Sequence, residues 1–144
     1  MKGKILLYAV MLGITTTVAS ARPDYPSKSV NAKASNVVEA FVDAHIHADA
    51  ALFNAILNSS AVLKLNRQEE IVTHTKSELV GFYKRSGLIN LNCSSEYEVL
   101  SSSECVVIAR VDFKFPEFVQ QNYLTIEKDK KGLWKITQIN RFSI

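Results

Sequence analysis

The chain has 144 residues, 17 lysines and arginines against 14 aspartates and glutamates, and two cysteines. That length suits a single domain with one core. The cysteines are too few for a disulfide-stapled scaffold, and the charge excess is too small for a nucleic-acid surface or an anionic-membrane surface.

Residues 1–21, "MKGKILLYAVMLGITTTVASA", place Lys2 and Lys4 before an apolar run from Ile5 to Leu12 and end on Ala19-Ser20-Ala21. That order predicts a secretory signal peptide cleaved before Arg22. The run falls short of the ~20 apolar residues of a spanning helix. Cleavage would leave 144 − 21 = 123 residues with a net charge of 15 − 14 = +1. The product is expected to be secreted or periplasmic, with neither nucleic acid nor membrane as a partner.

Residues 22–34, "RPDYPSKSVNAKA", carry two prolines and no periodicity, which predicts a mobile leader. A domain over residues 35–144 follows. Ser35 is the expected N-cap of a helix whose apolar positions are Val38, Phe41, Val42, His45, Ala48 and Leu52. Asp49 can act as a second N-cap and divide the helix near Ala48. "AVLKLN" and "EEIVTH" predict a short strand pair. Thr75-Lys76-Ser77-Glu78 is a capping box that opens the helix "KSELVGFYKRS", and Gly87 closes it.

From Leu88 onward, "LNCSSEYEVL", "CVVIARVDFKF", "QNYLTIEKD" and "LWKITQINRF" read as successive strands. Helices first and strands last describe an α+β domain with helices on one face of a curved antiparallel sheet. A hairpin turning on "SSSE" would pair Val99 with Cys105, Tyr97 with Val107 and Cys93 with Val111. The two cysteines would then lie ~20 Å apart along the ladder, beyond the ~7 Å a disulfide tolerates. Both are expected as free, small, buried side chains.

The stretch "DAHIHADAALF" concentrates the titratable candidates. His45 and His47 point about 200° apart on a helix, so they cannot chelate one metal, and no spacing nominates a metal or cofactor. His45 and Asp49 share a face if the helix runs through, which would make His45 a general base held by a carboxylate. If Asp49 instead caps a second helix, His45 is a pocket-lining group on the apolar stripe. His47 is expected in solvent.

Strand alternation turns Glu96, Glu98, Arg110, Asp112 and Lys114 outward and Tyr97, Val99, Val107, Ala109, Val111 and Phe113 inward. It places Asn122 with Leu124 and Ile126, and Trp134 with Ile136 and Gln138. Tyr97, Asn122 and Gln138 are then polar groups on a covered face and need partners, either internal ones or a ligand. The outer face bearing Val106 and Ile108 beside Arg110 is amphipathic enough to pair with a second copy.

"FVDAHIHADAALFNAIL" resembles the "A…GD…L..LL" opening of the nuclear transport factor 2-like superfamily, with Ala44, Asp49 and Leu52 in place and Ala48 where glycine is usual. Asn92-Cys93, "VDFKF..F", Asn122 to Thr125 and "GLWKIT" resemble a secreted bacterial branch often labelled "putative lumazine-binding". The resemblance spans residues 36–144. It implies a cone-shaped α+β roll, also called cystatin-like, in which the sheet wraps the helices around a pocket. Ligand contacts would come from Phe41, His45, Tyr83, Tyr97, Asn122, Trp134 and Gln138. Enzymes of the superfamily place an acid inside the cone, whereas the acids here fall mainly at outward, turn or capping positions.

The expectation is therefore an exported binding or accessory domain for a small hydrophobic molecule, without catalysis or cofactor. Two alternatives stand beside it. One is a cofactor-independent lyase or isomerase using His45. The other is a structural module dimerising through its sheet.

Overall fold

A computed structural model describes residues 30–144. The expected signal peptide and most of the expected leader lie outside the described residues. The part of the leader that is described packs against the domain. Val30 is 1% exposed. Asn31 Nδ2 donates to the carbonyls of Ala55 (3.2 Å) and Trp134 (2.8 Å), and Trp134 N donates to the Asn31 carbonyl (2.8 Å). This anchor starts helix α1 (Ala34–His47) after Lys33, which offers no side-chain cap, so Ser35 is not the N-cap expected of it.

Helix α1 ends where Ala48 adopts a left-handed conformation (φ 51°, ψ 44°). Asp49 then caps α2 (Ala50–Ile56), its Oδ1 accepting from Leu52 N at 3.1 Å. The bend expected near Ala48 is present. The chain continues through strands β1 (Leu57–Arg67) and β2 (Glu70–Thr75) into α3 (Lys76–Ser86). Both halves of the Thr75–Glu78 capping box are formed, and Gly87 follows as the C-cap.

Strands β3 (Ser94–Ser102), β4 (Val106–Lys114), β5 (Val119–Lys128) and β6 (Trp134–Ser143) complete one sheet in the order β2-β1-β6-β5-β4-β3. Every neighbouring pair is antiparallel except β1 with β6, which run parallel. The helices fill the concave side, and Phe41, Phe53, Phe113, Ile56, Leu124 and Ile136 are wholly buried between the layers.

Two irregularities separate the sheet from strict alternation. On β3 the register is Tyr97 opposite Val111 and Val99 opposite Ala109, four places from the expected one. The turn tightens around Ser103, whose Oγ accepts from Val106 N (3.1 Å) and whose N donates to the Val106 carbonyl (2.8 Å). A bulge between Val99 and Ser101 absorbs the extra residue. Tyr97 and Val99 share the inner side with Val111 and Ala109, but β3 is an edge strand that the helices do not cover, and Tyr97 is 45% exposed. Asp112, expected outward, lies on the outer side but is buried, 3.4 Å from Arg110 Nε.

On β6 the register shifts between Ile136, opposite Ile126, and Gln138, opposite Thr125. Thr137 is the extra residue, and its Oγ1 donates to the Thr125 carbonyl at 3.3 Å. Trp134 and Ile136 face inward before the bulge, Ile139 and Arg141 after it.

The cysteines are both free, as expected, but they are not both buried: Cys105 is exposed in the turn and Cys93 is half-buried, its thiol pushed up by burial. A thiol reagent should therefore label Cys105 first in the native protein, and both should react once it is denatured. Equal native rates at the two positions, read by peptide mapping, would contradict this arrangement.

Candidate functional site

Four elements bring polar side chains together inside the cone. His45 of α1 is 6% exposed. Its ring lies over Phe113 of β4 (centroids 4.3 Å apart) and stacks on Phe41 (6.2 Å, planes 14° apart). Its Nδ1 is 2.7 Å from the hydroxyl of Tyr83, which α3 delivers from the other side. The Arg141 guanidinium of β6 lies against the same hydroxyl. Arg141 Nε donates to Asn122 Oδ1 of β5 at 2.7 Å. The Asn122 amide is itself held, with Nδ2 donating to the Val111 carbonyl and to Gln120 Oε1, each at 3.3 Å.

The donors and acceptors favour one placement of the protons. Arginine only donates, so with the Arg141 guanidinium beside it the Tyr83 oxygen is the acceptor side and its hydrogen points to His45 Nδ1. His45 is then the neutral tautomer with hydrogen on Nε2. Its electrostatics agree: burial first, and the Arg141 charge second, lower its pKa from the ordinary 6.5 to about 3. Burial pushes the Tyr83 hydroxyl up against the opposing pull of Arg141.

Among the sequence-expected residues, the structure unites His45, Tyr83 and Asn122, with Phe41 sealed behind them at 0% exposure. It does not unite the others. Asp49 is the cap of α2, so the pairing with His45 does not form. His47 turns away and sits 2.8 Å from Asp43 Oδ1. Tyr97 lies on the edge strand, its hydroxyl 3.4 Å from Glu39 Oε1. Trp134 is seven residues from Arg141 along β6, ~23 Å at ~3.3 Å per residue, and carries Lys128 Nζ 5.1 Å above its ring. The bulge turns Gln138 to the outer side, where Nε2 donates to Asn140 Oδ1.

Arg141 is the residue that alternation missed. Counted from Trp134, strict alternation places it outside.

Among the described residues, a cavity of the cone lies beside Arg141, and His45 is not part of its lining. This cavity of about 410 Å³ is bounded inside by Leu63, Leu65, Leu79 and Arg141 and at its rim by Arg67, His74, Glu78, Phe82 and Arg85. Three arginines thus face a single carboxylate. Glu78 is already engaged, its Oε2 accepting from Thr75 N at 2.7 Å. Among the described residues, no group of three His, Cys, Asp or Glu is arranged to hold a metal ion, and no helix is long and apolar enough to cross a membrane.

A family model described as "Putative lumazine-binding" matches residues 29–139. No curated protein matches the sequence. The fold is similar to that of a nuclear transport factor 2-like protein of unknown function from Silicibacter pomeroyi (13% identity, TM-score 0.66, covering 83% of this chain and 100% of that one). A second such protein, from Methylobacillus flagellatus, is similar at 14% identity and TM-score 0.65, over 84% of this chain and 96% of that one. A ketosteroid isomerase-like protein from Erwinia carotovora atroseptica gives 17% identity and TM-score 0.57, over 80% and 96%. At these identities the solved structures speak for the fold alone.

Proposed function

Because the chain belongs to the family described as "Putative lumazine-binding", within the nuclear transport factor 2-like superfamily, we propose that it is an exported domain that binds a small, largely apolar molecule. The binding place is the cavity between β1, β2, α3 and the end of β6. One observation carries the reading: the cavity has an apolar inner wall of Leu63, Leu65 and Leu79 that ends on a hydrogen-bonding arginine. A few polar groups converging on an apolar concavity are the usual make-up of a small-molecule site. The flat ring and carbonyl oxygens of a lumazine would suit such a wall and such a donor.

Binding is favoured over turnover by the placement of His45. A general base must come within hydrogen-bond reach of the proton it removes. His45 is enclosed by Phe41, Phe113 and Tyr83, with its Nδ1 occupied by the tyrosine hydroxyl. The outer sheet face supports a homodimer as a secondary reading, since exposed Phe142 and Ile144 border a shallow groove with Tyr123.

One experiment on protein from a secreting host covers these readings. Intact mass should begin at Arg22, and native mass spectrometry should show a retained small molecule or saturable binding of added lumazine. A mass of all 144 residues would sink export. The absence of any retained molecule, together with no binding of lumazine, octan-1-ol or octanoate, would sink the binding reading. A doubled mass would support the dimer, and a monomer at micromolar concentration would remove it.

A further inference from the structure

The binding reading above leaves the chemistry of the ligand open, and Arg141 narrows it. A guanidinium has five N–H donors and a full positive charge, and a charge held away from water needs a partner of opposite sign. The described partners of Arg141 are Asn122 Oδ1 and the Tyr83 hydroxyl, both neutral. Among the described residues, no carboxylate is paired with it. Glu78, the one acid of the cavity lining, is bound to Thr75 and stands 3.8 Å from His74. The cation is therefore fixed in direction by an amide that is itself fixed, has donors to spare, and borders empty space.

We propose that the cavity is an anion-selective site for a small amphipathic monocarboxylate, whose carboxylate sits on Arg141 and whose apolar body lies along Leu63, Leu65, Leu79 and Phe82. The planar fork of arginine matches the two oxygens of a carboxylate. Arg67 and Arg85 at the rim raise the local concentration of anions without contacting the bound head group. A dianionic phosphate fits less well. It would bring a second charge near Glu78 and would leave the apolar wall uncovered.

Calorimetry with octanoate, octan-1-ol and inorganic phosphate on the mature wild-type protein tests this. The first two share an apolar body and differ in the charge of the head. Octanoate should bind about 10–100-fold more tightly than octan-1-ol, the range expected for a charge-assisted contact. Arg141→Met should remove most of the octanoate preference, costing octanoate about 10-fold more affinity than it costs octan-1-ol, with Arg141→Lys falling between.

Equal affinity of the two probes for wild type would overturn the anion preference while leaving the binding reading intact. Failure of every small molecule to bind would overturn both. An octanoate preference that survives in Arg141→Met would place the receptor at the rim and overturn the assignment to Arg141. Phosphate binding as tightly as octanoate would overturn the amphipathic half. Should Arg141→Met fail to fold, the wild-type comparison and Arg141→Lys still decide.

Discussion

Replacing His45 with leucine should flatten the acid limb of the stability curve. In the folded protein His45 resists protonation until about pH 3, whereas in the unfolded chain it takes a proton near the ordinary 6.5. Between those values the unfolded state binds more protons, so wild-type stability is complete above pH 6.5 and falls as the pH drops toward 3. The full loss is on the order of 4–5 kcal/mol, of which about 3 kcal/mol should have appeared by pH 4. His45→Leu has no such group. Carboxylates with lowered pKa values, such as Glu78, Glu96 and Asp129, weaken both proteins alike in acid and cancel in the difference.

At pH 7 the variant should lose some stability, about 1–3 kcal/mol, if the Tyr83 hydroxyl is left without its acceptor. The two proteins should therefore converge, and then cross, as the pH is lowered. Urea titrations at pH 7 and pH 4 check this. A constant gap between wild type and variant would show that His45 does not sit neutral and enclosed.

Phe113→Ala should be the most damaging single truncation on the concave face of β4, at about 3–5 kcal/mol. Phe113 is wholly buried and in ring contact with both Phe41 and His45. Its removal opens a void against α1 that the sheet cannot close, because Val111 and Ala109 on the same face are already packed. It also removes one wall of the histidine site, so the acid sensitivity described above should shrink in the same variant. Val99→Ala, on the uncovered edge strand, should stay within about 0.5 kcal/mol. Denaturation midpoints for the two variants would test the contrast, and similar losses in both would mean that β3 is covered rather than open.

The parts of this fold readable from sequence are those whose determinants are local. The Asp49 cap, the Thr75–Glu78 box and the Gly87 stop each need only three or four consecutive residues. Strands β3 to β6 announce themselves by composition. His45 and Asn122 were legible as inward polar groups because each lies on an uninterrupted stretch of periodic structure.

The failures sit where a neighbour decides. Tyr97 has the correct side of its strand and still faces solvent, because whether a helix overlies an edge strand is a property of the helix. Ser35 gave way to Lys33 because Asn31 had already tied the chain to Trp134 and Ala55. Gln138 and Arg141 exchanged sides because pairing with β5, rather than the β6 sequence itself, admits an extra residue at Thr137.

That extra residue means that the charge inside the cone is set by how β6 pairs with β5 as much as by residue identity. Pairing the same residues without the bulge would turn Asn140 and Phe142 inward and send Arg141 to the convex side, whereas deleting Thr137 would remove the bulge and keep Arg141 inside. A scan that only exchanges residues reads identities and passes over this pairing. Related chains aligned through this strand without a gap can match letter for letter and still present opposite faces to their ligands.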